Sequence, residues 1–498
     1  MGRAKAGPHD RSITSGSDFL QLHIGDAPAG GRSQWLAERL RLAIADGRMP
    51  VGGRLPATRV LAAELGVSRG VVTGAYRRLS EAGHVAGRGR GGTVVVSAPA
   101  APEPARLPAP TTPSAALFAA PPGADIFDSL RAAPARIDLS PGVPDLAAFP
   151  RTAWLRAERT VLNSLAPSDL GYGDPRGTPA LRGAVATWLA RNRGIQVTPG
   201  DVVIVTGVSQ ALGLLAQVLR NDGITSVAVE DPGSLRFRQH LRSWHPDTPP
   251  VPVDAHGLRV DQLRASGVAA AVLTPAHQFP TGVVLHGDRR RQLAHWAEAG
   301  GLIIEDDYDA EHRYDRSPVP ALRASLPEHV CYTGSVSKLL APALRVGWVL
   351  APSRYRDALV AAKRNADLGN AALPQLVLAE LIASGELERQ LRLLRRRHVR
   401  RRDAMISAVA THLPSAVVHG AAAGLHLMIT FNAGVDDVAV AAAALAKGVK
   451  AQPLSWHSQR PGQPGVVLGY AANTPADIDD GIATIGASEA ARLTFARR

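Results

Sequence analysis

One lysine in this chain stands where an amine can do covalent chemistry. The segment Tyr332-Thr333-Gly334-Ser335-Val336-Ser337-Lys338 closes an apolar run with small hydroxyl residues directly before the amine, and Arg345 follows in Leu-Arg-Val-Gly-Trp. Upstream, Gly301–Asp309 (GLIIEDDYD) sets carboxylates at the end of another apolar run, where Asp306 is placed to face a heterocyclic nitrogen. Farther upstream, Thr206-Gly207-Val208-Ser209-Gln210 follows Val-Val-Ile-Val and opens an apolar helix, a suitable cup of backbone N–H donors for a phosphate. A Schiff-base lysine, a carboxylate for a pyridine nitrogen, and a helix start plus a cation for a phosphate are the demands of pyridoxal phosphate. A lone Ser-x-Lys is most often a surface lysine; the order of the other groups along the chain raises its weight. Acids clustered at a strand end would also suit a metal ion. No His or Cys ligand spacing accompanies them, and no metal is expected.

These groups need a frame. VVIVTG, SVAVED, AAVLTP, GLIIEDD and GWVLAP read as short apolar strands alternating with helical segments from about Arg136 to the C-terminus. That alternation predicts a large α/β domain over 136–498 with a mainly parallel sheet. Before it, residues 99–135 are rich in alanine and proline and read as a semi-extended linker. Residues 31–98 form a separate compact unit, and the polar, glycine-bearing residues 1–30 read as disordered.

In the compact unit, Trp35, Leu36, Leu40 and Ile44 recur at helical spacing until Gly47 and Pro50. A second helix runs from about Thr58 to Leu65, and Ser68 is expected to cap a third through Val71, Val72, Tyr76 and Leu79. Two β segments, His84–Ala86 and Thr93–Val96, flank the tip Arg-Gly-Arg-Gly-Gly. Three helices and a β-wing describe a winged helix-turn-helix. Ser68, Arg69 and Gly70 open the third helix, where a hydroxyl and a guanidinium suit phosphate contact and guanine reading. Arg59 in the preceding helix is placed to clamp the backbone, and Arg88 and Arg90 on the wing to reach a minor groove or phosphates. Eleven arginines and four acids fall between residues 31 and 98, a net of +7 out of +13 for the whole chain. Such a balance points to polyanions, nucleic acid or anionic lipid; the plainer reading is a solvated basic face.

The sole cysteine, Cys331, allows no disulfide within the chain and reads as a small core residue. The N-terminus has no apolar signal-like stretch and no apolar run reaches spanning length, so a soluble, cytoplasmic protein without membrane partners is expected.

Two resemblances sharpen this. Leu36–Val95 resembles a GntR-family winged helix nearly end to end, through Leu55-Pro56-Ala57-Thr58-Arg59, Gly66–Arg69 and Gly89–Thr93. It implies DNA contacts at Arg59, Ser68, Arg69 and the wing residues Gly89, Arg90 and Gly91. GYGDPRGTPALR, VEDPG, TPAHQFPTG, EDDYD and GSVSKLLAPALRVGW resemble fold type I aminotransferases, and the combination resembles the MocR/GabR-type regulators over residues 34–97 and 136–480. The resemblance implies an α+β winged helix-turn-helix joined to an α/β pyridoxal-phosphate-binding domain. It implies Lys338 as the Schiff-base lysine, Asp306 on the pyridinium, and Tyr308 on the ring oxygen with Gln278 or His277 as a neighbour. Gly207, Val208, Ser335 and Arg345 would hold the phosphate, and Tyr172 would reach the neighbouring subunit's phosphate in a homodimer.

Two departures stand out. Ser234 follows Gly233 where such proteins carry an aromatic that stacks on the ring. The strand Gly465–Tyr470 lacks the arginine that grips a substrate α-carboxylate in aminotransferases. Arg236 is the candidate substitute grip for an effector. The basic run ERQLRLLRRRHVRRRD reads as a solvated or interface helix rather than a DNA contact. The leading expectation is a regulator that binds an operator and senses pyridoxal phosphate or an amine or amino-acid effector. The alternatives are a working aminotransferase carrying a DNA-binding domain and a DNA-binding protein whose large domain only dimerises.

Overall fold

The computed structural model describes residues 24, 27, 28, 30–45, 48–89, 92–97, 117–244, 247–314 and 319–495, the last six of these by backbone alone. The chain divides into two compact units, Met1–Thr111 and Thr112–Arg498.

The first unit is built from α1 (Arg32–Ala45), α2 (Thr58–Glu64), α3 (Arg69–Glu81) and the hairpin β1 (Val85–Gly87) and β2 (Thr93–Val95). Leu36, Leu40 and Ile44 of α1 meet Leu61 of α2 and Val72, Ala75 and Leu79 of α3 in one core, each at most 2 % exposed. The helical spacing read from the sequence is thus the spacing of the buried stripe. Gly74 lets α1 and α3 close up, since a Cβ there would come within 2.5 Å of the Ser33 hydroxyl. Tyr76 donates its hydroxyl to the Pro56 carbonyl at 2.8 Å, pinning the turn before α2.

The second unit opens with α4 (Ile126–Ala132) and β3 (Ile137–Asp138). The expected linker ended at 135, but the chain is already packed from Leu117. Leu117, Phe118, Ile126 and Leu130 are buried with Leu235 and Trp456, and Phe118 stacks on Trp456 at 5.3 Å. The sequence shows only a few large apolar residues among alanine and proline there; their partner lies more than three hundred positions away.

The main sheet holds eight strands: β4 (Val203–Val205), β5 (Ala228–Asp231), β6 (Pro250–Asp254), β7 (Gly257–Leu258), β8 (Ala270–Leu273), β9 (Leu302–Asp307), β10 (Val330–Ser335) and β11 (Gly347–Leu350). Their order is β4-β11-β10-β9-β8-β5-β6-β7. The neighbours among β10, β9, β8, β5 and β6 pair in parallel, whereas β11 runs antiparallel to both of its neighbours. Strands buried on both faces need apolar residues at every position, which is why they read as unbroken apolar runs rather than alternations. Two further helices frame the site: α5 (Val208–Asn221), whose apolar face packs on this sheet, and the short α6 (Leu235–Arg242). Cys331 lies in this core with no exposure, and burial pushes its thiol up to about 12.

A smaller antiparallel sheet follows, in the order β12 (Val417–His419), β13 (His426–Thr430), β16 (Gly465–Gly469) and β15 (Gln452–Pro453); β14 (Val449–Lys450) pairs separately with β3. Its core draws on the long helices α7 (Glu386–His412) and α8 (Pro475–Phe495). The basic run lies in α7 and is more than a solvated face. Arg397 and Arg401 both reach the buried Asp145, at 3.0 and 2.8 Å, and Arg402 donates to the Ala421 carbonyl. His398 is fully buried in the same helix, and burial drives its imidazole far down, to about 2. Among the described residues no helix is long and apolar enough to cross a membrane.

Candidate cofactor site and nucleic-acid interface

The carboxyl ends of β5, β8, β9 and β10 open into one cavity of about 810 Å³, the end at which ligands bind in open parallel sheets. Asp306, Tyr308, Ser335, Lys338, Arg345 and Gly207 all line it. The sequence scatters these groups over 139 positions, and the strand register collects them. Thr333 stands opposite Asp306 across β9 and β10 and donates its hydroxyl to the carboxylate at 2.8 Å. Among the described residues this is the one hydrogen bond to Asp306. Burial pushes the Asp306 carboxyl up to about 7.

Lys338 sits in the turn after β10 and donates its ammonium to the Gly142 carbonyl. Gly142 has a φ of 79° and would place a Cβ 2.9 Å from Nζ, so a side chain there would push the amine away. Burial brings the Lys338 amine down to about 8, against the pull of Asp309 and Asp306. A buried amine that gives up its proton near neutrality is a competent nucleophile.

Tyr308 donates to the His277 carbonyl at 3.0 Å, with the His277 Nδ1 equally close. That nitrogen also lies 2.9 Å from the Asp309 carboxylate. His277, Asp309 and His426 form a buried group with ligand atoms within 4.8 Å of one another. Because Asp309 already engages the imidazole, the cluster reads as a hydrogen-bond chain behind Tyr308. Gln278 has a different role from the one expected. It is 2 % exposed, binds the Pro232 and Phe279 carbonyls and accepts from Thr281, tying two loops together outside the cavity wall.

Where the sequence leads one to expect a phosphate, Gly207 (φ 102°) begins α5 with Val208 and Ser209 beside it. A Cβ on Gly207 would sit 3.4 Å from the Arg345 guanidinium, so glycine leaves the room between them. Arg345 itself is held left-handed, φ 51°, a conformation that costs a residue with a side chain roughly 1–2 kcal/mol. Ser234 caps α6, accepting from the Phe237 N–H at 3.3 Å. Aromatic wall comes instead from Phe127, Phe237 and Phe279. Arg236 lines the cavity with its guanidinium 4.9 Å above the Phe127 ring. Tyr172 is 97 % exposed and is not among the residues that line this cavity. At the end of β16, Tyr470 donates to the Gly424 carbonyl at 2.6 Å, and no arginine stands in that strand.

In the first unit, Arg59, Ser68, Arg69, Gly70, Arg88 and Gly89 are all exposed. Ser68 occupies the N-cap of α3, but its hydroxyl makes no capping bond, contrary to expectation. The Val71 N–H instead bonds the Ser68 carbonyl at 3.0 Å. Arg69 donates to Thr58 at 3.4 Å, which sets the starts of α2 and α3 side by side. The wing closes through Arg88 N–H to the Gly92 carbonyl at 2.8 Å. Arg90 and Gly91 lie outside the described residues.

Residues 32–95 match the family described as Bacterial regulatory proteins, gntR family, and residues 135–458 match Aminotransferase class I and II. The chain is 31% identical to the probable rhizopine catabolism regulatory protein MocR of Rhizobium meliloti, covering 90% of this chain and 91% of that protein. The chain belongs to the MocR-type regulators. It is also 31% identical to the HTH-type pyridoxine biosynthesis transcriptional regulator PdxR of Corynebacterium glutamicum, over 88% of this chain and 91% of that one. Among solved structures, the α-aminoadipate aminotransferase LysN of Thermus thermophilus, complexed with N-(5'-phosphopyridoxyl)-L-leucine, superposes with a TM-score of 0.68 at 25% identity. It covers 77% of this chain and 97% of that one.

The cofactor of this MocR-type chain is pyridoxal 5'-phosphate, and the residues present fit it. Asp306 is a buried carboxylate with a single hydroxyl partner, which calls for a cation such as a protonated pyridine nitrogen. Lys338 would supply the amine, and Gly207, Val208, Ser335 and Arg345 would frame the phosphate. When bound, the cofactor supplies a reversible covalent link to primary amines. Sequence reasoning missed Gly142, Arg131, Phe127, His426 and His457, all in the cavity wall. Gly142 carries no local signal beyond a Pro-Gly turn, and Arg131 falls in the alanine- and proline-rich stretch that reads as linker.

Proposed function

We propose that this protein is a DNA-binding transcription regulator that senses pyridoxal phosphate itself or an amine or amino-acid effector at Lys338. The observation that carries this reading is a cofactor cradle left complete at Lys338, Asp306 and Tyr308 while β16 offers no arginine for an α-carboxylate. Retaining the cradle without the usual substrate grip suits recognition more than turnover. Arg236, with no hydrogen bond or ion pair among the described residues, is the candidate effector grip. Ligand binding would favour one arrangement of the protein over another, and only differential affinity for the two would shift their populations.

On DNA, Arg69 and Gly70 would enter the major groove with Ser68 and Arg59 on phosphates, and Arg88 and Gly89, continuing into Arg90 and Gly91, would reach from the wing. The working form would be a homodimer in the cytoplasm. Leu155, Leu162, Leu170 and Tyr172 expose 50 % or more of their surface within one short stretch, an apolar face suited to a second copy and to lending Tyr172 to its site. A second reading, a working aminotransferase, draws on the lowered Lys338 amine. Turnover of amino donors by the purified protein separates the two.

The direct test is the visible absorption of full-length protein given pyridoxal phosphate, before and after borohydride, beside Lys338→Ala. A band that borohydride fixes onto wild type alone is expected. Its absence from wild type with DNA binding intact would reduce the second unit to a dimerisation scaffold.

A further inference from the structure

A buried cation stands behind the turn at Gly207 and the backbone of Arg345. Lys363, in the last turn of the helix Ser353–Asp367, has no exposed surface. Burial this complete is costly for an ammonium unless it is paired and hydrogen-bonded. Its ammonium donates to both carboxylate oxygens of Asp367 at 2.6 Å and to the Asn370 Oδ1 at 2.6 Å, which engages all three of its protons.

Two branches lead on from this ammonium. Through Asp367, the first reaches Gln210, whose amide nitrogen donates to the carboxylate at 2.7 Å. The Gln210 Oε1 then accepts the Thr206 N–H at 2.8 Å, one residue before Gly207. The second runs through Asn370. An ammonium has no lone pair to offer, so the Asn370 oxygen must face Lys363 and its NH2 group the other way. That NH2 donates to the Arg345 carbonyl at 3.4 Å, on a residue whose backbone is left-handed. Between the branches the chain turns through Leu368 and Gly369, at φ 58° and 116°, and the Gly369 N–H closes onto Asp367 at 2.9 Å. None of Lys363, Asp367, Gln210 and Asn370 lines the cavity.

We propose that Lys363 is a positioning residue for the cofactor's phosphate: it fixes the Thr206–Gly207 turn and Arg345 at one spacing, and so sets phosphate affinity without touching the phosphate. That role rests on the phosphate lying beside Gly207 and Arg345, as read above, and adds what holds those two groups together. Hydrogen bonds to an anion are strong only while donor and acceptor keep their distance and angle. Without the ammonium, Asp367 loses its counter-charge and Asn370 is free to turn its amide over, so neither half of the cup is held to the other. The ring end, at Asp306, Thr333 and Lys338, rests on β9 and β10 and makes no bond to this network.

The test loads full-length protein with pyridoxal phosphate and, separately, with pyridoxal, which lacks the phosphate, and follows the cofactor absorption band to obtain both affinities. Wild type is expected to favour pyridoxal phosphate. Lys363→Met should reduce that preference about 10-fold or more while pyridoxal binding stays within about 2-fold of wild type. Gln210→Leu and Asn370→Ala each cut one branch and keep the buried ion pair, and each should give part of the reduction. Arg345→Gln, in the cup itself, should reduce the preference at least as far as Lys363→Met. Should Lys363→Met fail to fold, the two branch variants decide in its place. Equal weakening of both ligands, or a preference left intact while Arg345→Gln loses it, overturns the positioning role alone. A wild type without the preference, or a preference that survives Arg345→Gln, overturns the phosphate placement and the role of Lys363 together.

Discussion

The two faces of strand β9 carry the same chemistry to opposite ends. On one face, Asp307 accepts from the Arg193 guanidinium at 2.5 Å and from the Tyr332 hydroxyl at 2.6 Å, with both charged side chains at most 1 % exposed. Glu305 on that face accepts the Leu322 and Arg323 N–H groups at 2.9 and 3.0 Å. On the other face, Asp306 meets a single threonine hydroxyl and an open cavity. Alternation along a strand makes this division unavoidable, because neighbours point to opposite sides. Where the fold supplies the counter-charge, an acid is structural. Where it withholds one, the acid awaits a ligand.

The comparison breaks most completely at Asp307. Asp307→Ala leaves Arg193 buried without its partner and should cost about 3–5 kcal/mol, read as a fall in the denaturation midpoint. Asp306→Asn, one residue away, should leave stability of the cofactor-free protein within about 1 kcal/mol while weakening cofactor binding about 10-fold or more. A loss of stability as large as that of Asp307→Ala would mean that the two faces are equivalent after all.

Acidity sharpens the same contrast. The ordinary value for Asp306 is 3.8 and burial raises it to about 7, so the folded chain holds a proton that the unfolded chain has released between those limits. Its contribution to stability is present at low pH and lost as pH rises towards and through 7. Thermal unfolding of the cofactor-free protein should show that decline, and Asp306→Asn should flatten it. Lys338 moves the other way, from 10.5 down to about 8. The rate of cofactor loading should therefore climb with pH and reach half its maximum near 8.

The smallest effect belongs to the wing. Arg88→Ala should weaken DNA binding similarly across sequences and reduce the dependence of log affinity on log salt by about 1, as expected for one lost phosphate contact.

Much of this was legible in the sequence wherever signals were local. Strands β4, β5, β8, β9, β10 and β11 of the main sheet, the helices around Leu36 and Val72, and the grouping of Lys338 with Asp306 follow from apolar runs and their terminating residues, whereas β6 and β7 at one edge of the sheet carry no such run. Contacts between distant positions were not legible. Gly142 meets Lys338 across 196 residues, and Arg193 meets Asp307 across 114. Helix α4 hid in an alanine- and proline-rich stretch because its burial depends on Trp456. Ser68 shows the reverse failure, since residue type places it at the cap while its hydroxyl turns away from capping.

The isolation of Cys331 has a practical consequence. A lone thiol with no exposure and a raised proton affinity offers almost no thiolate, so oxidants and alkylating reagents have little to attack. Whatever this regulator reports to its DNA, cellular redox state does not enter through sulfhydryl chemistry. The chain is also a ready-made silent background: a Ser129→Cys variant would place its one reactive thiol on α4, where a single dye would report that helix alone.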